Sequence, residues 1–127
     1  MANPVVHFEI IGPDPDGLRS YYAALFGWDA PAGAPVAAEV SDQDAYSFID
    51  TSLTGDAGIP GGIGGGPDAV AHVTFYVGVP DVEAALDDAE RLGGTRVLGP
   101  VRNEGGDVTV GHFIDPAGNL IGVAGPQ

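Results

Sequence analysis

Three histidines and one strand-borne glutamate hold the most obvious chemistry of this chain. In "PVVHFEII", residues 4 to 11, His7 and Glu9 stand two apart. The period of a strand puts them on one face. In "AVAHVTFYVGV", residues 69 to 79, the same period puts His72, Thr74 and Tyr76 on one face. If the two faces meet, His7, Glu9 and His72 supply two imidazoles and a carboxylate. That is a recognised divalent-metal set, one that leaves positions open for substrate. His112, in "GHFID", is a further candidate whose face the sequence leaves open. Without a metal, Glu9 beside His7 could move a proton. The plainer alternative is a glutamate in water and histidines with ordinary hydrogen bonds. Trp28, Tyr46, Phe48, Phe75 and Tyr76 are suited to line an apolar cleft, as small-molecule sites are often lined. One glycine raises a question of its own. "DPAGNLIG" opens as a turn and starts a strand, yet that strand meets Gly122 almost at once. Glycine inside a strand marks a bulge or a close approach.

The elements that must position these groups follow from a repeat. Sliding the chain by 67 residues lays Pro13-Asp14 on Pro80-Asp81, Leu25 on Leu92 and Gly27 on Gly94. Each Pro-Asp ends a strand and caps a helix. Each Leu-x-Gly ends that helix, with Gly27 and Gly94 expected in the left-handed conformation. "FID" recurs at Phe48-Ile49-Asp50 and Phe113-Ile114-Asp115. Leu18, Tyr21, Tyr22, Leu25 and Phe26 form one helical stripe, and core packing is expected of Tyr21, Tyr22 and Phe26, with the tyrosine hydroxyls reaching the boundary. Val82, Ala85, Leu86 and Ala89 form the other, with Leu92 close by. Strand-like runs follow each helix. They are "VAAEV", "AYSFID" and "AGIPGGI" in the first half, and "TRVLGPV", "DVTVGHFID" and "NLIGVAG" in the second. Each half reads β-α-β-β-β. The expectation is an α+β fold of tandem β-α-β-β-β modules that form a curved mixed sheet around a cleft. Module one covers 1–63 and module two 69–127 within a single domain 1–127, with a glycine-rich linker over 58–68.

Composition narrows the function. The net charge is −14, from four arginines, no lysine and 18 acids. Nucleic acid and anionic membranes are poor partners for such a surface. A cationic or aromatic small molecule suits it, although simple solubility would also explain the charge. The chain has no cysteine, hence no disulfide, no thiolate zinc site and no cysteine nucleophile. The N-terminus "MANPVVHFEI" lacks the basic region of a signal peptide, and no apolar run approaches ~18 residues. A cytoplasmic protein is expected. "GIGGG" lacks the Lys-Ser/Thr ending of a phosphate loop, and no "GxSxG" supports a serine triad.

With "YYAALFGW" at the first helix and "HFIDPAGNLIGV" at the end, the tandem modules resemble the vicinal oxygen chelate superfamily. That superfamily includes glyoxalase I, extradiol dioxygenases and bleomycin-resistance proteins. The resemblance implies paired modules around a cleft, in many members a divalent metal that chelates adjacent substrate oxygens, and commonly a homodimer. It also implies where metal ligands would stand. The first-strand position, seven residues before the helix-opening aspartate, falls on His7 and Thr74. The last-strand position, usually glutamate, falls on Gly122 and near Gly61-Gly62. Only His7 is a convincing ligand.

Three functions stay open. The first is a small-molecule-binding glyoxalase/bleomycin-resistance-like protein with a degenerate metal site. His72, Thr74, Tyr76, His112, Trp28 and Phe48 would then line the ligand. The second is a metal-dependent lyase or dioxygenase using His7, Glu9 and His72. The third is a metal-independent proton-transfer enzyme using Glu9 or His7. The cofactor is accordingly either none, the favoured expectation, or a divalent metal.

Overall fold

Each half turns from strand to helix on an aspartate. In the computed structural model, Asp14 Oδ1 accepts a hydrogen bond from the Gly17 amide, and Asp81 Oδ1 accepts one from Ala84, both at 3.1 Å. These bonds satisfy amides that the first helical turn leaves without carbonyl partners. The structure describes residues 2–28, 33, 36–42, 44–49, 58–103 and 107–126. Asp50 and Ala57 of the expected strands lie outside them. In chain order the elements are β1 (Val5–Gly12), α1 (Pro15–Phe26), β2 (Ser47–Ile49), β3 (Gly61–Gly65), β4 (His72–Gly78), α2 (Val82–Arg91), β5 (Thr95–Arg102), β6 (Thr109–Ile114) and β7 (Leu120–Gly125). With two helices among the described residues and strands paired both ways, the fold is α+β. Among the described residues no helix is long and apolar enough to cross a membrane.

The chain divides into two units, residues 7–73 and residues 1–6 with 74–127. In the first, β3 lies between β2 and β1, antiparallel to β2 and parallel to β1. In the second, the order is β4-β7-β6-β5, with β4 parallel to β7 and the other pairs antiparallel. All three strands expected after the second helix are present. In the first half the expected strand over 36–40 is a turn instead, closed by the Val40 amide on the Ala37 carbonyl at 2.9 Å. Val36 is buried there against Ile11 and Tyr46, so its burial serves a loop rather than a ladder. The glycine-rich run that joins the halves supplies β3 itself, buried along its whole length.

The helices differ. α2 buries Val82 and Leu86 completely against Val123, as its stripe predicts, while Leu92 stays exposed. α1 buries no residue. Leu18 and Tyr22 pack on Ile49 and Ile63, but Tyr21 is 60% exposed, and Leu25 and Phe26 are exposed too. The expected core role of Tyr21 and Phe26 is thus corrected. The reason lies in the sheet beneath: β3 adds only Ile63 to the face that β1 and β2 supply with Phe8, Ile10 and Ile49, and Leu18, Tyr22 and Trp28 already cover it. α1 ends, as expected, on Gly27 with φ of 75°. After α2 the left-handed residue is Gly93, with φ of 110°, one place before the expected Gly94.

The turn from β6 to β7 is built by one side chain. Asp115 Oδ1 accepts from the amides of Ala117 and Asn119, and its Oδ2 from Asn119 Nδ2, each at 2.9 Å. The bonds from Asn119 lead in holding the Asp115 pKa below its ordinary value. This turn sets the register that pairs His112 with Gly122.

Candidate functional site

β1 separates its side chains cleanly. Phe8 and Ile10 join the cluster under α1, whereas Ile11 packs with Tyr46 on the opposite side. His7 and Glu9 share that opposite side. There the Tyr46 hydroxyl donates to Glu9 Oε1 at 2.9 Å and stands 3.0 Å from His7 Nε2. A phenol has one proton. With that proton on Glu9, Nε2 must carry its own hydrogen and donate it to Tyr46. This assigns the neutral Nε2–H tautomer. Burial lowers the His7 pKa from 6.5 to about 4, so the ring is neutral at physiological pH. Glu9 and Tyr46 are 2% and 1% exposed, leaving His7 the accessible end of the chain. Phe48, 43% exposed, meets His7 edge-on at 5.9 Å and Tyr46 at 5.3 Å.

The ring of Tyr46 also explains a glycine. A Cβ on Gly62 would lie 2.0 Å from the Tyr46 hydroxyl oxygen, so only glycine fits beneath the ring. The second unit repeats this arrangement. A Cβ on Gly122 would lie 2.5 Å from Cδ2 of Tyr76, which answers why a strand carries glycine there. The two glycines are equivalent by register. Glu9 pairs with Gly62 as Tyr76 pairs with Gly122, and residues 9 and 76 are related by the offset of 67. Gly61 points the other way, toward Phe8. Tyr76 then holds His112, with 2.7 Å between its hydroxyl oxygen and Nε2, in a buried pair. The face of His112 is thereby settled as that of Tyr76. Thr74 is buried, and its hydroxyl donates to the Leu120 carbonyl at 2.7 Å.

The structure brings His7, Glu9 and Phe48 together, and separately Tyr76 and His112. Trp28 lies under α1, packed on Phe8, Tyr22 and Phe26 at 5.0 to 5.5 Å. His72 donates from Nδ1 to the Val70 carbonyl at 2.9 Å and lines a cleft beside α1. Among the described residues no three His, Asp or Glu side chains converge to hold a metal ion. The residue that sequence reasoning undervalued is Tyr46. Its signal was its position two before Phe48 in the strand-like run "AYSFID", whose period puts the two on one face.

Residues 7–124 match the glyoxalase-like domain family. The chain belongs to the glyoxalase-like family. Among curated proteins none matches the sequence. Solved structures do resemble this glyoxalase-like protein. A point variant of Streptomyces coelicolor methylmalonyl-CoA epimerase, in complex with 2-nitronate-propionyl-CoA, superposes with a TM-score of 0.66 at 17% identity, covering 100% of this chain and 96% of that one. The Mycobacterium tuberculosis methylmalonyl-CoA epimerase gives 0.65 at 17%, covering 97% and 87%. A hypothetical protein from Bacillus halodurans gives 0.67 at 13%, covering 100% and 96%. At these identities the likeness establishes the fold, that of the vicinal oxygen chelate superfamily.

Of the four positions at which that superfamily implies ligands, this glyoxalase-like protein keeps one nitrogen donor, His7. Thr74 spends its hydroxyl on a carbonyl, and Gly62 and Gly122 carry tyrosine rings over them. A divalent transition metal asks for three or four N, S or carboxylate donors. The residues at these positions do not fit one.

Proposed function

We propose that this glyoxalase-like protein binds a small organic molecule without a metal, contacting it at His7 and Phe48. One observation carries the reading: over Gly62 and over Gly122, phenol rings stand where the family resemblance implies carboxylate ligands. The Glu9–Tyr46–His7 chain then fixes the tautomer of a neutral imidazole, and exposed Phe48 supplies an aromatic wall. A neutral, oriented ring gives directional hydrogen bonding, and the aromatic edge gives apolar contact. The bleomycin-resistance-like role belongs to this reading, as do a cytoplasmic homodimer and the absence of nucleic-acid and membrane partners. The test is elemental analysis of untagged protein after loading with Mn, Fe, Co, Ni and Zn, followed by a thermal-shift ligand screen. Sub-stoichiometric metal that is the same in His7→Ala is expected, together with ligands whose stabilisation disappears in that variant. Stoichiometric metal that is lost in His7→Ala would overturn the reading in favour of a chelate enzyme.

A second reading, metal-independent proton transfer through His7 or Glu9, is favoured by the same hydrogen-bonded chain. The fold shared with methylmalonyl-CoA epimerases adds support, because inversion beside a carbonyl proceeds by removing and returning a proton. Two facts rank it second. Glu9 is too buried to reach a substrate directly, and a base with a pKa of about 4 is weak near neutrality. Deuterium uptake from solvent into acyl-CoA substrates, lost in both His7→Ala and Tyr46→Phe, would place this reading first.

A further inference from the structure

We propose that a second binding site lies beside the N-terminal half of α1, taking a small molecule with an aromatic body and a cationic, hydrogen-bond-donating head. A cleft of about 620 Å³ opens there, and every residue lining it belongs to the unit 7–73. Its size falls in the ordinary range for small-molecule sites. Ile10, Leu18 and Tyr22 form its apolar wall, beside exposed Tyr21. The rings of Tyr21 and Tyr22 meet edge to face, 5.1 Å apart at 87°. Two tyrosines so arranged present both a ring face and ring edges to an incoming aromatic or cation.

The charge of the cleft chooses the head group. Among the described residues, none lining it is arginine or lysine, and Asp14 lines it with a carboxylate. The Asp14 side chain is held by the Gly17 amide, so it is already oriented. His72 gives its Nδ1 hydrogen to the Val70 carbonyl, which holds the ring at the edge of the cleft. The Asp14 carboxylate is thus the oriented acceptor of the cleft. The net charge of −14 adds long-range attraction for a cation. The incomplete cover that α1 gives to its sheet has a consequence here. Tyr21 and Val73, left exposed by folding, supply apolar surface that a ligand would bury.

The test is an amide-resolved NMR titration of the whole chain with tryptamine, and in parallel with indole-3-propionate, which carries the opposite charge on the same ring. Saturable shifts at Leu18, Tyr21, Tyr22 and Val73 are expected with tryptamine only. Asp14→Asn keeps the helix cap, because asparagine caps as well as aspartate. It should weaken tryptamine about three- to fivefold, the worth of one exposed charge pair. Ala71→Trp, at an exposed position in the cleft, should block binding, whereas His7→Ala should leave it unchanged. Equal binding of the two probes, an unchanged affinity in Asp14→Asn, or no saturation below about 10 mM would each overturn the proposal. Shifts centred on His7 and Phe48 would overturn its location while leaving the first site standing.

Discussion

At the scale of single residues, one phenol ties the candidate site together. Tyr46 gives its proton to Glu9, takes one from His7 and roofs Gly62. The neutrality of His7 makes stability depend on pH, with a definite sign. In the unfolded chain His7 binds a proton near pH 6.5, and in the folded chain only near pH 4. Between those values the unfolded state binds more protons, so stability is full above 6.5 and is lost as pH falls toward 4. The loss from this group is at most about 3 kcal/mol. Urea melts across this window, compared with His7→Phe, should show a shallower decline in the variant, and parallel curves would refute the buried neutral ring. Gly122 gives the second prediction. Gly122→Ala should cost about 1–3 kcal/mol, because a methyl group enters the Tyr76 ring. In a Tyr76→Ala background the same change should cost less than about 0.5 kcal/mol, a coupling that a double-mutant cycle reads directly. Additive costs would mean that the ring does not enforce the glycine.

Among the elements, the two helices sit at opposite ends of one rule. Apolar spacing declares that a stripe exists, and the partner surface decides how much of it is buried. α2 faces Val123 and Phe113 and buries Val82 and Leu86, while α1 reaches the apolar side chains beneath it with Leu18 and Tyr22 alone, β3 contributing only Ile63 to that face. Leu86→Ala should therefore destabilise by about 2–5 kcal/mol through the cavity it leaves. Leu25→Ala, the corresponding change on the α1 stripe, should stay within about 0.5 kcal/mol. Similar losses in the two chemical melts would mean that α1 is covered in solution, as a homodimer would cover it. The caps were legible because an N-cap is written within four residues of sequence: Asp14 to Gly17 and Asp81 to Ala84. The run 36–40 was not legible. Its apolar residues satisfy strand periodicity, yet they serve a turn that covers Tyr46 and Ile11.

For the whole molecule, charge sets the conditions of stability. Arg96 gathers Glu83, Asp87 and Glu90 at 2.7, 2.5 and 3.5 Å, a cluster whose carboxylates are exposed, so that water and salt screen its pairs. Against that stands the self-repulsion of a net −14. Screening weakens both, and the repulsion is spread over many more charges than one arginine can pair. The melting temperature should accordingly rise between low salt and about 0.5 M NaCl, and a fall would show that specific ion pairs dominate. By itself the sequence determined the doubled α+β plan, the two capped helices, the three strands that follow α2, and the glycines at the positions where the resemblance implied carboxylates. These are local facts, carried by period, cap residues and residue type. Only the tertiary structure decided that Tyr46 joins Glu9 from 37 residues away, and that Gly62, not Gly61, occupies in its own unit the register position that Gly122 occupies in the other. It also decided that His112 faces Tyr76 and that the α1 stripe is left largely uncovered. Strand register and the surface opposite an element are properties of paired segments, and no single segment encodes them.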